Sequence, residues 1–308
     1  MALTLLEAAK RSQDPVQSAV IEMYAGASDV LANLGFDNIQ GSAMKYNREE
    51  TLPGIGFRGI NESYTESTGV INPQIEPLVI VGGDLDVDKF ILETMGMNQR
   101  SVQEEMKVKS MALAWTKAFI KGDSDSDPRE FDGLQVRLTG NQLIDAGSTD
   151  GGDALSLAKL DELIDAVDDP THLIMNKAMR RRLTTAARTY TIGGFISYEL
   201  DAFGKKIAYY NGLPILIMDK DNEDNDILPF TEVGSGGTTA TACSLYCVSL
   251  TPGKLQGIQN KVLEARDLGE LQTKPAMRTR VEWYAGIAMY HGRAAARLRG
   301  VKNAAVTA

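Results

Sequence analysis

The side chains best able to do chemistry in this 308-residue chain are scattered, and their spacings decide what each can do. Asp123, Asp125 and Asp127 alternate as the oxygens that open an EF-hand calcium loop do. Pro128, however, stands where that loop needs its sharp-turn glycine, and Leu134 where it needs its bidentate glutamate, so the stretch reads as a solvated connection. Cys243 and Cys247 lack both the two-residue gap of a zinc knuckle and a second Cys or His pair, and read as buried thiols. His172 opens an apolar stretch and His291 lies in a basic one, neither with a Ser in a nucleophile elbow. Gly234-Ser235-Gly236-Gly237-Thr238-Thr239 is composed like a phosphate loop, yet it lacks that loop's lysine and precedes no helix. Arg180, Arg181, Arg182 and Arg188 could touch phosphate, but successive helical residues point ~100° apart, and pairing with a neighbour's acidic surface serves them equally. Asp219, Asp221, Glu223, Asp224 and Asp226 form a second acidic run without EF-hand spacing, which reads as a solvated or interface loop. No catalytic, cofactor-binding or metal-binding set is predicted.

Composition narrows the classes further. Hydrophobic residues make up 43% and charged residues 24%, which suits one large domain or two smaller ones and excludes a disulfide miniprotein, a fibre or a disordered tail. Lys and Arg number 32 against 41 Asp and Glu, a net charge of −9 that argues against binding nucleic acid by neutralising phosphates. No run approaches the ~18 to 20 apolar residues of a membrane-spanning helix, and the opening MALTLLEAAKRSQDP places its charges after its apolar run, the reverse of a signal peptide. A reducing, intracellular setting is expected.

The elements that would position these residues follow from patterning. Residues 1–40 read as an arm of two short helices, 3–12 and 16–34, split at Asp14-Pro15 and ended by Gly35. Residues 41–75 alternate polar and apolar positions around Met44, Tyr46, Tyr64, Thr68 and Val70 and turn at Pro53-Gly54-Ile55-Gly56, which predicts a long two-stranded excursion. Such a ribbon is marginal in water and needs another surface to lie on. A short strand over 76–81 and a break at Gly82-Gly83 precede the longest helical pattern, 84–121. There Ile91, Met95, Val102, Met106, Leu113 and Ile120 recur at spacings of four and seven, with Asp84, Asp86 and Asp88 in the first turns and Lys117 and Lys121 in the last. At full length it would run ~55 Å, with Gly96 as a kink.

Residues 123–260 read as a compact middle. It holds an amphipathic helix over 155–167, a strand over 171–176, a basic helix over 177–188, buried strands over 210–218 and 244–250, and a polar, Gly-rich loop between the last two. Long strands follow over 262–268, 271–278, 279–290 and 293–301. The charge also reverses, with nine basic residues against four acidic from Lys261 onward.

Three short motifs punctuate this order: Phe131-Asp132-Gly133-Leu134 after the long helix, Tyr210-Asn211-Gly212-Leu213-Pro214-Ile215 ahead of the polar loop, and Trp283-Tyr284-Ala285-Gly286-Ile287-Ala288 leading into the basic end. In that order the chain resembles the major capsid proteins of tailed bacteriophages over nearly its whole length. Phe131, Gly133, Leu134, Gly212, Pro214, Trp283 and Gly286 are the structural positions that carry the likeness.

The resemblance implies an α+β fold with an N-terminal arm (1–40), an extended loop (41–75), a peripheral domain with a spine helix (76–121), an axial domain of mixed sheet and helices (122–260) and a peripheral return (261–308). It implies a subunit of an icosahedral virion shell around double-stranded DNA, assembled in a bacterial cytoplasm from hexamers and pentamers without sequence-specific DNA binding, membrane or cofactor. Lys45, Tyr46, Pro53, Phe57 and Tyr64 on the extended loop, and Asp221, Glu223, Asp224, Asp226 and Phe230 on an apical loop, are then expected to touch neighbouring copies. A portal and decoration proteins are implied partners. A separate scaffolding protein is expected, since few residues precede the extended loop. Two other readings stand beside it: an encapsulin-like nanocompartment shell, and a cytosolic α/β enzyme binding a phosphorylated ligand through Gly234 to Thr239 and the Arg180 helix.

Overall fold

The computed structural model describes residues 3–4, 27–95, 98–188, 196–200 and 206–307. In chain order the elements are β1 (Leu3–Thr4), α1 (Asp29–Asn33), β2 (Gly35–Asn38), β3 (Ala43–Thr51), β4 (Val70–Pro77), β5 (Val79–Asp88), α2 (Lys89–Met95) and α3 (Asn98–Lys121). After these come α4 (Leu134–Arg137), β6 (Leu143–Asp145), α5 (Leu157–Asp165), β7 (His172–Asn176), α6 (Lys177–Ala187), β8 (Ile196–Leu200), β9 (Lys206–Tyr210) and β10 (Leu213–Met218). The chain closes with β11 (Glu232–Val233), β12 (Ala240–Val248), β13 (Leu255–Gln259), β14 (Glu264–Glu270), β15 (Ala276–Met289) and β16 (Ala295–Lys302).

Strand β15 is the axis of a six-stranded sheet. Its alternation sends Thr279, Val281, Trp283, Ala285 and Ile287 to the core and Arg278, Arg280, Glu282 and Tyr284 to the opposite face. Along one side it pairs with β5 from Ala276↔Asp88 to Ala285↔Val79; along the other it pairs with β14 and then β13, which leads on to β2 and β1. An eight-stranded sheet of order β6-β16-β12-β7-β10-β9-β8, with β11 beside β12, forms the second body. Its central strand β12 is buried on both faces. Cys243, Leu245 and Cys247 face a core closed by α5 and α6, while Tyr246 and Val248 face the core shared with α3 and β15. In that shared core Trp115 of α3 meets Phe36, Phe131, Trp283 and Phe119 of its own helix with ring centroids 5.5 to 5.8 Å apart, and Phe36 meets Trp283 at 5.0 Å.

Several expectations change. Residues 84–88 are strand, not helix: Val79, Val81, Leu85 and Val87 share one face and Asp84, Asp86 and Asp88 the other, a period of two that α2 ends at Lys89. Gly82 and Gly83 lie within this strand. The expected stripe on the long helix is not the buried one. Ile91, Val102 and Met106 are 40%, 48% and 59% exposed, whereas Val108, Met111, Ala112, Trp115 and Phe119 are buried, and among the described members of the expected stripe only Ile120 is buried with them. Gly96 lies outside the described residues, as does most of the arm; within it Leu3–Thr4 is a strand paired with β2, and α1 is helical as expected. Residues 210–218 form a hairpin and not one strand, because Asn211 and Gly212 both take positive φ (48° and 81°), the two-residue turn that matches strand twist.

Sheet membership also crosses the boundary expected at residue 260. β13 belongs to the sheet of β15, and β16 lies between β6 and β12. The turns at 249–254 and 290–294 carry both strands from one sheet to the other side by side, held by Tyr290 N–H donating to the Lys254 carbonyl at 2.9 Å. No described helix is long and apolar enough to cross a membrane.

Candidate assembly surface

Strands β3 and β4 pair from Ala43↔Pro77 to Thr51↔Val70 as a separate two-stranded ribbon, with a register shift between Glu49 and Thr51. Every residue from 51 to 71 is exposed. Apolar side chains crowd this region: Leu52 is 77% exposed, Ile55 93%, Phe57 107%, Ile60 94% and Tyr64 66%, and Ile71 and Ile75 continue the row along β4. A single exposed leucine means little, but a contiguous apolar tract at the tip of a ribbon is an unusual amount of apolar surface to leave in water. Within the tip, Arg58 stacks 5.3 Å from the Tyr64 ring centre and Ser67 Oγ donates to the Gly54 carbonyl at 2.7 Å. The tip thus holds a shape without a body behind it.

At the opposite end the ribbon is clamped. Glu76 is buried and accepts a two-pronged ion pair from Arg137, with Nη2 to Oε2 at 2.6 Å. Arg137 also donates from Nε to the Asp132 carbonyl at 2.6 Å, which ties the clamp to the Phe131–Leu134 turn. Tyr46 donates from its hydroxyl to Glu76 Oε1 at 3.1 Å and to the Met289 carbonyl at 2.9 Å, and packs on Tyr290 with centroids 4.9 Å apart. Burial and the Glu76 carboxylate push the Tyr46 phenol up to about 12, so it stays a proton donor. Tyr290 is raised for the same reasons, burial first and then Asp37, to which its hydroxyl donates at 3.3 Å.

Of the residues expected to contact neighbours on this loop, Lys45, Pro53, Phe57 and Tyr64 project into solvent, while Tyr46 belongs to the intrachain clamp. The apical set divides differently. Asp221 is 4% exposed and pairs with Lys117 of α3 at 2.8 Å, and its carboxylate also accepts from the Glu223 and Asn225 backbone N–H groups. It is a pin within the chain, which corrects the expectation of an inter-subunit contact. Ile227 and Leu228 are buried beside it, Phe230 is half-buried on the second core, and Glu223, Asp224 and Asp226 are exposed.

The Gly234–Thr239 stretch already has its anion. Asp150 accepts from Thr239 N–H at 2.9 Å and from Thr239 Oγ1 at 2.7 Å, and a Cβ on Gly236 would sit 1.7 Å from the Ser148 carbonyl oxygen. The glycines serve packing against residues 147–153, which removes the ground for a phosphate loop there. Asp123 closes its own turn through Ser126 Oγ at 2.7 Å and Asp125 N–H at 3.0 Å. His172 is driven down to about 4 by burial. The motif positions are structural: Phe131 and Leu134 are buried, Gly133 caps α4, Gly212 turns the hairpin that Pro214 follows, Trp283 is core, and Gly286 pairs with Ile258.

No protein-family model and no curated protein matches the chain. Solved structures do. The holo-SrpI encapsulin complex from Synechococcus elongatus PCC 7942 aligns with TM-score 0.64 and 15% identity over 91% of this chain and 89% of that one. The capsid of a native GTA particle gives 0.63 and 14% over 89% and 90%, and Microbacterium phage Oxtober96 gives 0.63 and 11% over 88% and 90%. The chain has the tailed-phage major capsid protein fold. That fold is shared by phage capsids and an encapsulin, so both shell readings fit it equally. Within the capsid fold the clamp around Glu76 is what sequence reading missed; the alternation that turns Tyr46 and Glu76 to one ribbon face was its available signal.

Proposed function

We propose that the chain is a structural subunit that self-assembles, as hexamers and pentamers, into an icosahedral capsid enclosing double-stranded phage DNA. The observation that carries this is the ribbon: a tip with its apolar side chains in water, on a root locked by a buried ion pair. Burying one Leu, Ile or Phe side chain contributes roughly 1.5–3 kcal/mol, so covering the tip on a second copy supplies on the order of 10 kcal/mol before ordering costs. Repeated by symmetry, such arms give avidity that no single contact provides. Phe90, Val102 and Met106 on α2 and the first half of α3 are further apolar side chains open to a neighbour.

In this reading residues 41–75 reach across an adjacent copy, residues 122–260 form most of the axial domain, and α3 is the spine of the peripheral domain. Lys45, Pro53, Phe57 and Tyr64 touch the neighbour, as do Glu223, Asp224 and Asp226 at the ring centre. The net charge of −9 suits a container that encloses DNA without gripping it. Scaffolding, portal and decoration proteins are its expected partners, the virion its location, and the host cytoplasm its place of assembly; its role is structural and not catalytic.

An encapsulin-like shell enclosing a protein cargo is the second reading, favoured by the likeness to the holo-SrpI encapsulin complex. Negative-stain microscopy of the purified protein tests both: closed shells or ring-shaped capsomers are expected, and a monomer or dimer under every condition sinks them. Shells recovered from an infected host with nuclease-resistant DNA favour the first, and shells filled with one co-purifying protein favour the second.

A further inference from the structure

A groove of about 380 Å³ runs between α1, α3, β10 and α6, lined among others by Ser28, Asp29, Leu113, Lys177, Arg180 and Ile217. Its charges are unequal in how they are satisfied. Lys177 pairs with Asp219, and Lys220 at its rim pairs with Asp224 at 2.7 Å. Asp29 accepts from the Ile217 N–H at 3.3 Å and has a further partner. Arg180 differs: its Nε is fully buried with no acceptor, and its guanidinium makes no hydrogen bond or ion pair with a described residue. Arg181 beside it is exposed. The occluded Nε is out of reach from outside, but the two Nη groups, which have no partner among the described residues, are open to one.

We propose that this groove receives an acidic side chain from a second copy of the chain, which Arg180 binds as a fork. The inference rests on the shell reading. A guanidinium matches a carboxylate in plane and in donor spacing, and desolvation by the incoming copy strengthens the pair. The chain supplies the partner in excess, because acids outnumber bases by nine overall while the end from Lys261 onward is basic. The two described acids that line the groove, Asp29 and Asp219, are already engaged within the chain, which leaves the role to another copy.

The test compares assembly of wild type and R180M by light scattering against protein concentration at low and high salt, together with the melting temperature of each unassembled subunit. R180M is expected to melt at or above wild type, since an unpaired charge is gone, yet to need about tenfold more protein to assemble, with a weaker salt dependence. A purely structural arginine would instead lower the melting temperature and leave the assembly threshold unchanged. A second arm keeps Arg180 and places a photo-crosslinking benzoylphenylalanine at Arg181 in shells grown from mixed light- and heavy-nitrogen subunits. Cross-links of mixed isotope to an Asp- or Glu-containing peptide support the proposal. Cross-links confined to single copies, the chain's own arm included, overturn it, as does an unchanged threshold. Wild type that never assembles refutes the shell reading itself, an outcome distinct from wild type and R180M assembling alike.

Discussion

Arg137 and Glu76 are 61 residues apart and form a two-pronged, buried ion pair at the root of the ribbon, joined by the Tyr46 hydroxyl. The pair fixes where the ribbon leaves the body, so it should matter to the isolated subunit as much as to the assembly. Removing one partner strands the other charge, and R137M or E76Q is expected to cost about 3–5 kcal/mol in urea unfolding. The double variant R137M/E76L should cost clearly less than the sum of its single changes, because neither leaves a buried charge alone. Additive costs would show that the two residues do not act as a unit.

The tip makes the opposite prediction. Replacing residues 52–69 by a short glycine linker removes only exposed side chains, so the unfolding midpoint should stay within the error of wild type while shells and capsomers disappear. F57D is the gentler version: a subunit change within about ±0.5 kcal/mol and a lost assembly signal in light scattering. Normal shells from either protein would remove the role given to the tip.

The legible parts of the fold were those that patterning fixes locally. The ribbon, the amphipathic helix α5, the basic helix α6 and the strand β7 all lie within a residue or two of where periodicity places them. Residues 84–88 misled because three aspartates read equally well as a helix N-terminus and as one face of a strand; Arg278 and Arg280 in β15, almost 200 residues away, decide the matter by pairing across to Asp86 and Asp84. The acidic run at 219–226 misled in another way. Its composition is that of a free loop, but one carboxylate, Asp221, is drawn inward by Lys117, and such long-range pairing leaves no local trace in sequence. The ribbon was legible as an exposed two-stranded element, whereas its clamp depends on Tyr290 and Arg137, which no spacing links to Tyr46.

Cys243 and Cys247 lie in the doubly buried β12, and burial, with Glu232 adding to it at Cys243, pushes both thiols up to about 12. Both should therefore resist a thiol reagent in the native subunit at neutral pH and react fully in denaturant. Rapid native labelling would show that the sheet around β12 opens locally.

Asp221 sets the acid limit of the polar loop. Burial raises its carboxyl, yet the Lys117 ammonium and the Asn225 and Glu223 N–H groups outweigh this and hold it down to about 2, below the ~3.9 of an unfolded chain. A lowered folded-state value means that the unfolded chain takes up the proton first. The stabilisation is therefore complete above about pH 5 and is lost as pH falls toward the folded value near 2. D221N should lower the melting temperature at neutral pH and bring the variant's curve toward that of wild type between about pH 5 and 2. K117M removes the same ion pair from the other side and should reproduce that convergence in part, since the backbone donors remain. Other carboxylates titrate in the same window but cancel in the difference between variant and wild type. Curves that run parallel from pH 7 to 2 would show that the Lys117–Asp221 pair contributes nothing to pinning the loop on α3.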